Sequence, residues 1–185
     1  GMHYAPSKLF DDENEERMWL YEAEKYYANI VLPYSDIVLR FLDQVKKMGL
    51  APRIIAPDHG FVWRKDPAKI VNLYAKWAAQ APKNKAVIVY DTMWGSTEKM
   101  AVQIADALRE GGMEVKQLSM HACHRSDIAT ELLDASALIV GSPVLNSGIF
   151  PSLADVLCYL KGLRKKGLVG ATFGSYGWSP APIDE

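Results

Sequence analysis

Hydrophobic spacing divides the chain into two parts with different periodicities. Up to about residue 82, apolar residues recur every three to four positions, which is typical of amphipathic helices. From about residue 83, short apolar runs alternate with helical patterns, which is typical of a parallel sheet covered by helices on both faces. The pattern therefore predicts a mainly helical segment over 1–82 and a doubly wound α/β domain over 83–185.

Three helices are predicted in the first part. The first ends at Pro33, and its buried face is predicted to comprise Trp19, Ala23, Tyr26, Tyr27 and Ile30. The second ends at Gly49, and its buried face is predicted to comprise Ile37, Val38, Phe41, Leu42, Val45 and Met48. A short strand is predicted over 53–56, and the third helix begins at Asp66 and Pro67, an N-cap followed by proline at the first helical position.

The second part predicts four strands and three helices in alternation. The strands are predicted over 86–90, 114–118, 137–140 and 168–173. The helices are predicted over 97–110, 126–133 and 151–160. In the first of these helices, the residues expected to face the sheet are Met100, Ile104, Ala107 and Leu108.

Composition and charge argue against several classes of partner. The 185 residues carry a formal net charge of -1, so no charge excess favours nucleic acid or anionic lipid. No apolar run approaches the roughly 18 residues of a membrane span, and the N-terminal residues do not form a secretion signal. Cys123 and Cys158 have no CxxC spacing, which fits a reducing compartment. We therefore expect a cytoplasmic protein without a nucleic-acid or membrane partner.

A hydroxyl-rich loop, DTMWGST, follows the first predicted strand of the sheet and opens the next helix. Its candidate binding residues are Thr92, Met93, Trp94, Gly95, Ser96 and Thr97. A helix N terminus offers unpaired N–H groups and a positive dipole end, so a phosphate can be held there without a lysine. The absence of GxxxxGK[ST] and GxGxxG favours a single monophosphate over a triphosphate or a dinucleotide. The alternative is that Ser96 and Thr97 only cap the helix.

Two further loops follow the third and fourth predicted strands. Their candidate binding residues are Ser142, Pro143, Val144, Leu145, Asn146, Ser147 and Gly148 in GSPVLNSG, and Ser175, Tyr176, Gly177 and Trp178 in GSYGWS, which ends at Ser179. Ligands of open parallel sheets bind beyond the carboxyl ends of the strands, so all three loops should face one crevice. Their glycines, amides and aromatic side chains suit a flat isoalloxazine ring. The alternative is ordinary turns with aromatic side chains in the core.

The segments DTMWGST, GSPVLNSGIFPSL and FGSYGWS resemble the flavodoxin domain of flavodiiron proteins, also called A-type flavoproteins. The segments LFDDE, EAEKYYANIVLP and IIAPDHGFVWRKDP are similar to the last part of the metallo-β-lactamase-like domain that precedes flavodoxin in that family. The resemblance implies a flavodoxin-like fold preceded by a remnant of the lactamase-like domain. It also implies flavin mononucleotide (FMN) in the three loops, an electron donor such as rubredoxin or a reductase, and a dimer.

The di-iron site of that family has only one counterpart in this chain. The family uses a His-x-Glu-x-Asp-His motif and further ligands, of which His59 alone matches. One ligand cannot hold two irons. The absence of the other family ligands from this sequence predicts no metal site, no catalytic side chain, and no oxygen or nitric oxide reductase activity by this chain alone. His59 is then interpreted as a turn histidine that remains from the missing site.

The chain stops soon after the third loop, where the family continues with a helix and a fifth strand. We therefore expect a sheet without its last strand and helix, and self-association through the exposed edge. Three functions stay open: an FMN-binding electron-transfer flavoprotein, an assembly module that binds no flavin and pairs with a separate di-iron chain, and the tail of an intact oxidase.

Two further groups of residues have competing interpretations. His121, Cys123 and His124 are close in sequence but lack a fourth ligand, so we interpret them as a solvated loop without function. A group of basic residues at the end of the last predicted helix fits the helix dipole. The same group also suits docking of an acidic electron donor such as rubredoxin. It comprises Lys161, Arg164, Lys165 and Lys166.

Overall fold

The computed structural model describes residues 1–178, which fall into two compact units. The first unit is Gly1–Ala81, and the second is Pro82–Glu185, described as far as Trp178. Within these 178 residues, none of the helices combines the length and the apolar character needed to cross a bilayer.

The first unit is mainly helical. Its helices are α1 (Glu16–Tyr26), α2 (Ser35–Lys47) and α3 (Pro67–Ala79), and α1 continues through a π turn and a 3-10 turn as far as Tyr34. Asp66 caps α3 by accepting from Lys69 N–H, as its sequence predicts. The strand predicted over 53–56 is wrong, because Ile55 forms only an isolated antiparallel bridge with Trp63.

Aromatic side chains build the core of this unit. Trp19 packs edge-on against Trp63 at 4.9 Å between ring centroids, and Tyr27 packs against Tyr74 at 5.1 Å. The predicted face of α1 is confirmed for Trp19, Ala23 and Tyr27, which are buried. It is wrong for Ile30, which is exposed, because the π turn adds a residue per turn and rotates the buried face.

One face of α2 is apolar but open within this unit. Phe41 and Met48, both predicted to be buried, are 61% and 70% exposed. Together with α3 and Leu50, this face lines an apolar groove of about 630 Å³. The helical period was therefore predicted correctly, whereas the burial of this face was not.

The second unit contains a parallel four-stranded sheet. Its strands are β1 (Lys85–Tyr90), β2 (Glu114–Ser119), β3 (Ala137–Pro143) and β4 (Val169–Ser175), in the order β2-β1-β3-β4. Every neighbouring pair is parallel. This is the strand order of flavodoxin-like folds, and the predicted fold class is confirmed.

Helices cover both faces of the sheet. They are α4 (Ser96–Glu110), α5 (Arg125–Leu132) and α6 (Pro151–Leu163). Because side chains alternate along a strand, Val87 and Val89 of β1 pack with α5 and α6 on one face, whereas Ile88 and Tyr90 pack with α4 on the other.

The face that α4 turns to the sheet differs from the predicted one by one position. Ala101 and Ala105 are fully buried, whereas Met100 and Ala107 are exposed. Only Ile104 and Leu108 of the predicted set pack against the sheet. The small alanine side chains allow the helix to lie close to the strands.

Candidate functional site

The three predicted loops meet at the carboxyl edge of the sheet. β1 is followed by α4 on one face of the sheet, and the neighbouring strand β3 is followed by α6 on the other face. The two connections therefore diverge at the carboxyl ends of β1 and β3. The hydroxyl oxygens of Thr97 and Ser175 lie 2.9 Å apart, which joins the first loop to the third. Val144 N–H donates to Ser175 O at 2.9 Å, which joins the second loop to the third. Ser175 therefore connects all three loops at the position where open parallel sheets bind ligands.

The first loop leaves the N terminus of α4 without a side-chain cap. Gly95 precedes the helix with φ of 81°, a conformation that favours glycine, and none of the described side chains caps the helix. Gly95 N–H donates to Thr92 Oγ1 at 2.9 Å, and the Thr97 hydroxyl is paired with Ser175 rather than with the helix. The alternative that Ser96 and Thr97 only cap the helix is therefore not supported, and the first N–H groups of α4 point to the loop without helical acceptors.

A buried carboxylate organises this loop, and its role is not evident from the sequence. Asp91 follows β1 directly and is 3% exposed. Its Oδ1 accepts from Thr92 N–H at 2.7 Å and lies 3.0 Å from His121 Nε2, while its Oδ2 accepts from the Ser152 hydroxyl. The interpretation of the segment around His121 as a loop without function is therefore incomplete.

His124 also has a structural role that is not evident from the sequence. Its Nδ1 accepts from Ser126 N–H at 3.3 Å and so caps α5. Cys123, between the two histidines, is half-buried, and burial raises the pKa of its thiol. Neither residue lies in the contacts that join the three loops.

The second loop turns sharply between Leu145 and Gly148. These two residues exchange backbone hydrogen bonds of 3.1 and 2.9 Å. Asn146 and Ser147 between them have φ of 51° and 61°, which is the left-handed region that non-glycine residues rarely adopt. Upstream, Ser142 Oγ accepts from Phe150 N–H at 3.1 Å, which ties the end of β3 to the start of α6.

Large aromatic side chains at the site are exposed rather than part of the core. Trp94 in the first loop is 91% exposed, and Trp178 in the third is 94% exposed. Tyr176 and Met93 are also exposed. The alternative interpretation of ordinary turns with buried aromatic residues is wrong for these positions. Ser179, the last residue of the third predicted loop, lies outside the described residues.

A tyrosine at the end of β1 adds a neutral polar group near the loop. Tyr90 is buried, and its hydroxyl donates to Glu98 Oε1 in the first turn of α4 at 3.2 Å. Burial raises the pKa of the Tyr90 phenol, and the neighbouring Glu98 carboxylate raises it further. The phenol therefore stays protonated and serves as a hydrogen-bond donor.

His59 lies in the first unit, away from the residues of these loops in sequence. Its exposed ring faces the rings of His3 and Tyr26, at 6.1 and 6.3 Å between centroids. Across residues 1–178, no group of three or more His, Cys, Asp or Glu side chains is placed to hold a metal ion. The interpretation of His59 as a leftover turn histidine stays a prediction.

Strand order and connections together define the class of this protein as a doubly wound α/β protein of the flavodoxin type, whose three loops meet at the carboxyl edge of the sheet. The family described as Flavodoxin matches residues 88–184, which is more than half of the 185 residues. The chain therefore belongs to the flavodoxin family.

Known relatives confirm the resemblance to flavodiiron proteins. The chain is 49% identical over 178 residues to a nitric oxide reductase of Moorella thermoacetica, which covers 96% of this chain and 45% of the relative. It matches the structure of rubredoxin oxygen:oxidoreductase from Desulfovibrio gigas with a TM-score of 0.95 and 42% identity, covering 100% of this chain and 46% of that one. The flavodiiron protein from Giardia intestinalis matches with a TM-score of 0.91 and 31% identity, over 98% of this chain and 45% of that one.

The chain thus spans about half the length of the relatives it matches. The matches extend through the first unit as well as the second, because they cover nearly the whole of this chain.

Proposed function

We propose that this chain binds FMN at the carboxyl edge of the sheet and carries electrons as part of the flavodiiron family. One observation carries the proposal: the uncapped N terminus of α4 is joined through Thr97 and Ser175 to the third loop, beside two tryptophans that are more than 90% exposed. A phosphate-sized anion site next to exposed aromatic planes fits a nucleotide with a flat ring.

The phosphate would be held by the first turn of α4. Its first N–H groups lack helical acceptors, and the helix dipole favours an anion there. The side chains proposed to contact the phosphate are the hydroxyls of Thr92, Ser96 and Thr97. Thr92 N–H and Gly95 N–H already have acceptors within the loop, so they shape it rather than bind the phosphate.

The ring would lie between the loops, against Trp94 or Trp178. Their exposed planes have no competing partner among the ring contacts of residues 1–178. The backbone of Asn146 to Gly148 would border the ring and set its redox potential. Bound FMN supplies the redox chemistry, and no side chain of this chain is assigned a catalytic role.

Several finer features belong to the same proposal. We propose a cytoplasmic homo-oligomer that receives electrons from a donor such as rubredoxin, which the name of the Desulfovibrio gigas relative includes. The basic group at the end of α6 would face that donor. Residues 1–82 are proposed to be the end of a metallo-β-lactamase-like domain without a complete di-iron site.

FMN titration of the purified full chain tests the proposal. We expect stoichiometric quenching of flavin fluorescence, and riboflavin should bind at least about tenfold more weakly because it lacks the phosphate that α4 would hold. Equal affinity for FMN and riboflavin would contradict the phosphate site. If excess FMN stays fully fluorescent, the FMN-binding proposal fails, and the result favours the alternative of an assembly module that pairs with a separate di-iron chain.

A further inference from the structure

His121 reaches the first loop from the connection after β2. Tyr90 and Ser119 are opposite each other in the β1–β2 register, so the segments that follow them run side by side. His121 Nε2 lies 3.0 Å from Asp91 Oδ1 and 3.2 Å from Thr92 O. Both partners are acceptors, so Nε2 carries the hydrogen and donates to the loop.

The carbonyl group of Thr92 is thereby held on the β2 side of the loop. In the order β2-β1-β3-β4, the loops that follow β3 and β4 lie on the opposite side of β1. The Thr92–Met93 peptide is planar and trans, so the Met93 N–H points opposite to the Thr92 carbonyl. Met93 N–H is therefore directed away from β2 and towards the side on which the other two loops lie.

A flip of this peptide would reverse the local electrostatics of the crevice. It would aim the Thr92 carbonyl oxygen, rather than the Met93 N–H, towards the loops after β3 and β4. A carbonyl oxygen repels an anion, whereas an N–H group binds it. Asp91 fixes the preceding peptide, because its Oδ1 accepts from Thr92 N–H at 2.7 Å, and the same oxygen orients His121 at 3.0 Å from its Nε2.

We propose that His121 is a positioning residue that holds the Thr92–Met93 peptide in the orientation that admits a phosphate. This rests on the proposed function insofar as the phosphate belongs to FMN, whereas the effect on the loop does not depend on any ligand. His121 is not assigned a contact with the flavin. It acts through Asp91 and the Thr92 carbonyl.

Three variants of the full chain test the role of His121. His121→Ala removes the donor, and His121→Gln keeps an N–H donor on a side chain of similar reach. His124→Ala is the matched control, since it removes an imidazole three residues further along that caps α5 and does not contact the first loop. Amide hydrogen exchange at Thr92 and Gly95 is measured in the flavin-free proteins, followed by FMN titration.

We expect His121→Ala to speed amide exchange at Thr92 and Gly95 by about tenfold. The variant removes the hydrogen bond from His121 to the Asp91 carboxylate, which orders the loop by accepting from Thr92 N–H. FMN should bind roughly tenfold more weakly, because a smaller fraction of molecules has the competent loop. His121→Gln should restore both quantities to within about threefold of the parent chain. His124→Ala should leave both unchanged.

The two proposals fail in different ways. If the parent chain binds no FMN, the proposed function fails, and exchange at Thr92 and Gly95 still decides the role of His121. If His121→Ala exchanges at the same rate as His124→Ala, the positioning role is overturned. If His121→Gln is as impaired as His121→Ala, the donor role of Nε2 is overturned.

Discussion

Gly141 lies in the inner strand β3, directly opposite Phe173 of β4. A Cβ added at Gly141 would overlap the Phe173 ring. It would lie 2.7 Å from Phe173 Cε1, and two further ring atoms would be nearer still. Ordinary carbon contacts are about 3.5–4.0 Å, so the ring would have to move by roughly 1 Å. Phe173 packs against the core on the α4 face of the sheet, which limits that movement. Gly141→Ala should therefore destabilise the second unit.

The expected loss is about 1–2 kcal/mol of unfolding free energy. Overpacking a filled site costs roughly 1–3 kcal/mol, and replacing glycine by alanine in the unfolded chain returns about 0.4–1 kcal/mol. Gly170→Ala in β4 is the matched control, because a Cβ there meets nothing within 4 Å. Gly170→Ala should be neutral or slightly stabilising.

Hydrogen exchange of the buried amides of β1 reports the opening free energy of this unit separately from the first unit. The double variant Gly141→Ala/Phe173→Leu should show a favourable coupling of about 1 kcal/mol, because the smaller side chain relieves the overlap. If Gly141→Ala and Gly170→Ala give the same opening free energy, the close approach of Phe173 does not limit the side chain at position 141.

Two other predictions concern an ion pair and the exposed tryptophans. Burial opposes ionisation of Asp134, but hydrogen bonds from Lys83 and Lys85 outweigh it and hold the pKa of Asp134 below its ordinary value. The ion pair therefore stabilises the fold above about pH 4, and its contribution is lost as the pH falls through the lowered folded-state pKa. Asp134→Asn should lower the unfolding free energy by about 1–3 kcal/mol at pH 7, and urea titrations should show this difference shrinking below about pH 4. Trp178→Ala should weaken FMN binding by roughly tenfold and change the unfolding free energy by less than about 0.5 kcal/mol, because the side chain is 94% exposed. Unchanged FMN affinity in fluorescence titration would contradict stacking of the flavin on Trp178. Trp94→Ala then tests whether the flavin stacks on the Trp94 indole instead.

The elements of the sheet were predictable because their signals are local. All four strands lie within three residues of the predicted bounds. β1 and β3 are short apolar runs, whereas β2 has only Val115 and Leu118 as apolar residues and lies between the glycines that end α4 and the next loop. The position of the candidate site followed from the same pattern, because loops after parallel strands share one edge.

Burial was predicted less well, because it depends on what covers a face. Met100 and Ala101 are both apolar, so periodicity alone does not choose between them, and close packing on the sheet selects the smaller side chain. For α2, the apolar positions are clear from the sequence, yet Phe41 remains exposed because no described element of the first unit lies over it.

The role of Asp91 was not predictable, because its partners come from separate segments. His121 and Ser152 are 30 and 61 residues further along the chain, and neither forms a motif with Asp91. Their contact depends on the adjacency of β1 and β2 and on the register that places Tyr90 opposite Ser119. Neither the adjacency of the strands nor their register can be recognised from a local sequence motif.

Strand register also determines the geometry of the candidate site. Ser175 joins the three loops because β4 places it opposite Pro143, two residues beyond the Gly141–Phe173 pair. A slip of one residue would turn the Ser175 side chain to the other face of the sheet and separate it from Thr97. Since the Phe173 ring fits only over a residue without Cβ, glycine at position 141 favours the register that brings the loops together. Core packing and the binding site therefore depend on the same pairing of β3 with β4.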